Sequence, residues 1–236
     1  DFDNDGNFDL FAGNFAHKDS RGNQPESIWL RNTGKEGKFR FENKGQGGIF
    51  YQESYSSPSP ADYDNDGNLD LFFTTVYGVA SFGRKNNPVL FRNEGQFKFS
   101  NANTATKLEG LGATYQAAWA DFDNDGDLDL MAAGRFFVNS GNKENHWLRI
   151  KLECKKKTVN RFAVGAQVRL KLNNGKILSR QVESGTGQGN QNELTLHFGL
   201  GSYDQPVKVE IFWPDGTILD LDGVPVDQKF IFNPDY

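Results

Sequence analysis

Four aspartates within nine residues are the most concentrated chemistry in this sequence, and the pattern occurs three times. The copies are Asp1-Phe-Asp-Asn-Asp-Gly-Asn-Phe-Asp9, Asp62-Tyr-Asp-Asn-Asp-Gly-Asn-Leu-Asp70 and Asp121-Phe-Asp-Asn-Asp-Gly-Asp-Leu-Asp129. Carboxylates this crowded repel one another unless a hard cation sits among them. Ca2+ accepts about six to eight oxygen ligands at about 2.3–2.6 Å in flexible geometry, which suits a short loop, whereas Mg2+ keeps more of its waters. The first, third, fifth and ninth residues offer carboxylates: Asp1, Asp3, Asp5 and Asp9; Asp62, Asp64, Asp66 and Asp70; Asp121, Asp123, Asp125 and Asp129. The seventh residue (Asn7, Asn68 or Asp127) offers its backbone carbonyl. Gly6, Gly67 and Gly126 permit the tight turn. The eighth residue (Phe8, Leu69 or Leu128) points away from the ion and anchors the loop in the core.

Two plainer readings fail. An EF-hand needs flanking helices and a Glu at the twelfth loop position, where this chain has Ala12, Phe73 and Ala132 between strand-like flanks. A solvated Asp/Asn/Gly turn accounts for one such loop, but not for three with the same ligand pattern. Carboxylates committed to a metal shell in every repeat are structural rather than catalytic.

The elements that position these loops follow from the repeat. The loops start at residues 1, 62 and 121, a period of about 60 residues. Each is followed by a short apolar run that reads as a strand: Leu10–Ala12, Leu71–Val76 and Leu130–Ala133. Next come Trp29-Leu-Arg-Asn-Thr-Gly34 and Leu90-Phe-Arg-Asn-Glu-Gly95, each ending in an Asn-x-Gly turn. The alternating strands Phe39-Arg40-Phe41 and Phe97-Lys98-Phe99 come after these turns. The third copy degenerates after Arg135–Gly141. Tyr55–Ala61 and Tyr115–Ala120 form the strand ahead of the second and third loops. Four antiparallel strands per unit describe a propeller blade, and a closed propeller has at least about four blades. About two to three are present here, so the remaining blades and the natural N-terminus are expected upstream of Asp1.

Composition shifts near residues 141–145. Beyond it, Leu148, Ile150 and Leu152 alternate with Trp147, Arg149 and Lys151 as a half-buried strand. Asn174-Gly175 is a hairpin turn between Val168–Leu172 and Lys176–Val182. Leu194–Phe198, Val207–Trp213 and Phe230–Phe232 are further strands, with a Pro214-Asp215-Gly216 turn. The expectation is all-β: a partial β-propeller over residues 1–143 with Ca2+-binding loops, then a small antiparallel β-sandwich-like domain over 144–236.

Net charge is −5, but setting aside the twelve aspartates at the first, third, fifth and ninth loop positions leaves 19 acidic against 26 basic residues. Three Ca2+ would bring the whole to +1, so the acidity belongs to the metal sites and does not point to basic partners. Lys155-Lys156-Lys157 has no aromatic interleaving and reads as a solvated loop, so no nucleic-acid partner is expected. No apolar run reaches the ~18 residues of a membrane span, and no membrane insertion is expected. Cys154 is the sole cysteine, which excludes disulfides and thiolate metal sites. The lack of an Asn-x-Ser/Thr sequon fits a bacterial source or an unglycosylated surface.

The nonapeptides, the strand after them and the Arg-Asn-x-Gly turns resemble FG-GAP/VCBS repeats, the integrin-α-type propeller repeat, over residues 1 to about 140. That resemblance implies Ca2+ held in a loop between adjacent strands of each blade. The second half resembles the ASPIC/UnbV domain. The carriers are Asn145-His-Trp-Leu148, Asn160-Arg161 with Gly165-Ala166, Ser184-Gly-Thr-Gly187, Gln191-Asn192, His197-Phe-Gly-Leu-Gly201 and Trp213-Pro-Asp-Gly216. It departs at Phe162-Ala163, where that family tends to have a small acidic-glycine pair, and at Gln188-Gly189, where an aromatic-aliphatic pair is usual. The two together resemble UnbV-like secreted proteins.

Catalytic signatures are missing. His17, His146 and His197 are isolated in sequence, and the latter two read as packed or hydrogen-bonded histidines that could still approach each other. Gly185-x-Gly187-x-Gly189 lacks the helix of a phosphate loop. No Gly-x-Ser-x-Gly elbow or His-Glu-x-x-His motif occurs. Cys154 has no His partner in sequence and reads as a plain strand thiol. Most Phe residues fall in alternating strands and are expected in the core. The expectation is a non-enzymatic, extracellular or cell-surface (or periplasmic) Ca2+-binding module for adhesion or for protein or glycan recognition. The alternative is the accessory part of an extracellular enzyme acting on polysaccharide.

Overall fold

Each acidic loop feeds directly into a strand, and the strands group by repeat. The computed structural model describes residues 1–14, 25–34, 38–141, 143–187 and 189–233. The chain is all-β. The first sheet holds β1 (Leu10–Ala12), β2 (Ile28–Asn32) and β3 (Phe41–Gly45) in sequential antiparallel order. The second holds β4 (Tyr55–Ala61), β5 (Asp70–Thr75), β6 (Val89–Asn93) and β7 (Phe99–Asn101). The third holds β8 (Ala117–Ala120), β9 (Asp129–Ala132) and β10 (Arg135–Phe137).

Among the described residues, only the middle of these three sheets has the expected four strands. In the third, the chain leaves β10 for the C-terminal part. The outer strands also start later than their alternation suggests. Gln96 and Phe97 adopt left-handed φ of +53° and +60°, and Glu94 N–H reaches the Lys98 carbonyl at 2.7 Å, so Phe97 belongs to the turn and β7 begins at Phe99. Phe39 likewise lies ahead of β3.

Neighbouring sheets meet through apolar side chains. Trp29 is fully buried between Phe2 and Phe99, at 4.5 and 4.4 Å between ring centroids, and Tyr55 stacks on Phe73 at 4.1 Å. Phe72, Leu90, Trp119, Leu128 and Leu130 form the corresponding cluster between the second and third sheets. β5 is buried along its whole length because it is covered on both faces. Not every Phe is core, however: Phe39, Phe82, Phe122 and Phe162 are more than half exposed.

The C-terminal part packs a three-stranded sheet against a four-stranded one. β11 (His146–Leu152) lies between β14 (Leu196–Gly201) and β17 (Gln228–Phe232). The facing sheet runs β13 (Ile177–Gln181), β12 (Gln167–Lys171), β15 (Val207–Phe212), β16 (Ile218–Val224). Its core, from Leu148 to Val224, is separate from the two upstream clusters. One departure from an antiparallel fold is that β11 and β17 run parallel. Parallel neighbours need a long crossover, and the whole β12–β16 region provides it. Ala163 holds φ +53° with no side-chain exposure, which explains why glycine suits that position in the resembled domain.

Candidate metal centre

The three loops share one internal hydrogen-bond plan. The first aspartate accepts the N–H of the loop glycine: Asp1 from Gly6 at 3.3 Å, Asp62 from Gly67 at 3.0 Å and Asp121 from Gly126 at 3.0 Å. The fifth accepts the N–H of the seventh, as in Asn7 to Asp5, Asn68 to Asp66 and Asp127 to Asp125. The ninth accepts two backbone N–H groups, for example Tyr63 and Asn93 on Asp70 at 3.2 and 2.8 Å. Asn4, Asn65 and Asn124 sit at φ +57°, +58° and +62°, and the loop glycines near +90°, so both turn positions are left-handed.

This plan brings carboxylates together. One oxygen from each of Asp1, Asp3 and Asp5 lies within 4.8 Å of the others, as do those of Asp62, Asp64 and Asp66, and of Asp121, Asp123 and Asp129. Asp9, Asp70, Asp125 and Asp127 stand outside these trios. Burial raises Asp62 to about 7 and pushes Asp70 well above the usual range. Burial, then the Asp125 charge, raises Asp127 to about 6. Asp3 Oδ1, Asp62 Oδ1 and Asp121 Oδ1 are buried with no hydrogen-bond partner. Buried carboxylate oxygens without donors are costly. An oxygen-only trio with one such atom per loop fits a hard divalent cation.

Several contributors were not apparent from the sequence. Arg31 bridges Asp3 and Asp5 at 2.5 and 3.0 Å, and Arg92 bridges Asp64 and Asp66 at 2.7 and 3.1 Å. The Arg-Asn-x-Gly turn is therefore part of the site. Its asparagines tie the loops to the strands: Asn32, Asn93 and Asn139 donate their backbone N–H to Asp9, Asp70 and Asp129 at 2.8 Å each. The fourth loop residue reaches the next loop. Asn4 Nδ2 donates to Asn68 Oδ1 at 2.9 Å, and Asn65 Nδ2 donates to Asp127 Oδ1 and the Gly126 carbonyl at 2.7 and 3.1 Å. An Asn repeated at that position in all three loops was the available signal.

The C-terminal sheets lie against the same loops. Ser179 N–H donates to Asp1 Oδ2 at 3.0 Å and Gly199 N–H to Asp62 Oδ2 at 3.1 Å. Arg149, expected half-exposed, is 1% exposed and binds Asp121 Oδ2 at 2.6 Å and both Glu193 oxygens at 2.6 and 2.7 Å. His197 Nε2 lies 2.6 Å from Asn65 Oδ1. Because the Asn65 amide NH2 already faces two acceptors, its oxygen accepts and His197 donates from Nε2. Burial and the nearby Arg149 and Arg180 charges lower His197 to about 3, so the ring is neutral. His146 instead pairs with Asp227 at 2.7 Å, so the two histidines have separate partners. His17 and Gln188 lie outside the described residues. Cys154 is a buried core thiol, and residues 155–157 are exposed. Gly187 and Asn190 form an isolated antiparallel bridge. No helix in the described residues is long and apolar enough to cross a membrane.

Comparison with known proteins agrees with this geometry. The chain matches the family described as FG-GAP-like repeat over residues 1–73 and 77–132, and the one described as ASPIC and UnbV over 156–235. It is 31% identical to "Cartilage acidic protein 1" of Mus musculus over 233 residues, covering 93% of this chain and 33% of that protein. The Homo sapiens protein of that name gives 31% identity over 93% of this chain and 32% of its own length. The chain thus spans about a third of the length of these relatives. With the repeat match covering more than half of its residues, the chain belongs to the FG-GAP-like repeat family and carries an ASPIC and UnbV domain behind the repeats.

Proposed function

We propose that this chain is a non-enzymatic, extracellular recognition module whose blades are rigidified by Ca2+ in the three acidic loops. The observation that carries the reading is the convergence of three carboxylates per loop, with Asp3, Asp62 and Asp121 each keeping one buried, unpartnered oxygen. Asp1, Asp3, Asp5, Asp62, Asp64, Asp66, Asp121, Asp123 and Asp129 would hold the ions, with the ninth aspartates of the first two loops, Asp9 and Asp70, bracing the turns. A divalent ion would neutralise the repulsion that burial intensifies and fix each loop against its neighbour. The presented surface would serve adhesion or the binding of a protein or glycan outside the cell or in a periplasm. The kinship with cartilage acidic protein 1, whose name denotes no enzyme, supports a binding role.

Thermal unfolding followed by circular dichroism in EDTA and after adding excess Ca2+ tests the metal reading. A midpoint raised by several degrees with Ca2+ is expected, and a midpoint indifferent to both would end it. A glycan array followed by product analysis tests the binding role, which cleavage of a bound glycan would refute.

A further inference from the structure

The ASPIC and UnbV domain touches all three acidic loops, each time at the first aspartate. Ser179 N–H, Gly199 N–H and the Arg149 guanidinium are the three donors. Around them, Ser179 Oγ donates to the Gly6 carbonyl at 3.2 Å, Gly201 N–H to the Asn65 carbonyl at 2.7 Å, and Asn145 Nδ2 to the Asp64 carbonyl at 2.8 Å. A Cβ on Gly199 would overlap Asp62 Oδ2 and the Asn65 backbone, and one on Gly126 would overlap the Trp147 indole, so the surfaces meet without room to spare. Most of the contact is polar, with Trp147 against Gly126 and Ile177 against Gly6 as its apolar parts. The domain's apolar core is its own, and a cavity of about 380 Å³ lies between its β13–β14 segment and the Phe2, Pro60, Trp119 and Leu128 side chains. A largely polar interface with a cavity beside its tight contacts is the kind that permits relative domain motion, unlike a large apolar one.

Several of these contacts fall on the motif segments, though Ser179 and Arg149 do not. Asn145, Trp147, His197, Gly199 and Gly201 all face the second or third loop, and Asn192 Oδ1 accepts the Trp119 N–H at 3.0 Å just ahead of the third. We propose that this domain is an intramolecular cap that recognises the closed form of the acidic loops, so that cap docking and divalent-cation binding strengthen each other. The inference rests on the metal reading above. The geometry supplies the coupling. In Asp62 and Asp121 one carboxylate oxygen is held by a loop N–H and a cap donor, and the other is buried and free. An ion on the free oxygen fixes the carboxylate that the cap reads, and the cap orients that carboxylate for the ion. Arg149 does not oppose the ion because Glu193 neutralises it through two hydrogen bonds. Because the cap spans loops from three successive sheets, it clamps blades that otherwise contact only their neighbours. Linkage requires each partner to raise the other's affinity by the same factor.

The test uses the full chain. Small-angle scattering follows its radius of gyration through a Ca2+ titration from EDTA, and calorimetry measures Ca2+ affinity in the chain and in Gly199→Val. Gly199 lies in β14 outside the left-handed region, and the atoms a Cβ there would meet first are those of the second loop, Asp62 Oδ2 and the Asn65 backbone. The expected result is a larger radius in EDTA that contracts as Ca2+ binds, with Ca2+ binding at least about fivefold weaker in the variant. Calorimetric binding of Ca2+ with an unchanged radius, or with unaltered affinity in Gly199→Val, would overturn the cap while leaving the metal sites standing. The titration of the unmodified chain decides the matter even if the variant does not fold. Absence of any Ca2+ heat would instead remove the metal reading and the cap with it.

Discussion

The second and third acidic loops are identical at seven of nine positions, yet they are held by different means. In the second, countercharge is local: Arg92 of the same sheet bridges Asp64 and Asp66, and the cap contributes neutral donors from Gly199, Gly201 and His197. In the third, Val138 occupies the place of Arg92, the seventh residue is a fifth carboxylate (Asp127), and Asp123 and Asp125 are exposed. Its guanidinium comes from the C-terminal sheets, as Arg149 of β11, which is wholly buried and shared with Glu193. Near-identical local sequence therefore fixes loop shape but not loop electrostatics.

Substitutions measured by chemical denaturation can break this contrast. The largest effect is expected from Arg149→Ala, which leaves Asp121 and Glu193 facing each other without a cation. Removing one partner of a buried ion pair costs about 3–5 kcal/mol, and a loss below 1 kcal/mol would contradict the assigned role. Asn65→Ala comes next. Asn65 is a hub between the second loop, the third loop and the cap, and its loss strands the His197 N–H and the Gly126 carbonyl, at about 2–3 kcal/mol.

pH sharpens the comparison. His197 is held near 3 against an ordinary value of 6.5, so as pH falls below 6.5 the unfolded chain takes up a proton that the folded chain refuses. The stability contributed by neutral His197 is present above pH 6.5 and is lost on acidification towards 3, by up to about tenfold in the folding constant per pH unit. The His197→Gln variant should show a shallower acid slope over pH 4–6.5, and an unchanged slope would rule out this linkage.

The smallest effects concern the local arginines. Arg92 is more than a third exposed, so Arg92→Ala should cost no more than about 1 kcal/mol. Val138→Arg gives the third loop the arginine of the other two. Stability in EDTA should rise by a few tenths to about 1 kcal/mol, and the Ca2+-induced gain in melting temperature should shrink. A larger Ca2+ response in that variant would reverse the assignment.

Much of this molecule was readable in the chain. The strands after each loop appear where the apolar runs put them, β4 appears ahead of the second loop as the repeat requires, and the Asn174-Gly175 and Pro214-Asp215-Gly216 turns close their hairpins. β16 was not anticipated, because Asp220 and Asp222 alternate with partly exposed apolar residues on an edge strand. Arg149 was misplaced for a related reason: period-two alternation marks which residues share a face, but not whether that face meets water or another domain. The parallel β11–β17 pair depends on where a crossover ends, which no local window encodes.

The chain alone specified where carboxylates crowd, since four aspartates fall on a nine-residue turn with a left-handed glycine, and it specified the repeat that multiplies this turn. Only the fold shows which oxygens remain unpartnered, which arginine answers which aspartate, and that donors of the C-terminal sheets reach the loops. Those are properties of contacts between residues as far apart as Asp1 and Ser179. Such contacts form only when separately folded sheets are brought together, and residue type or spacing along the chain does not specify them.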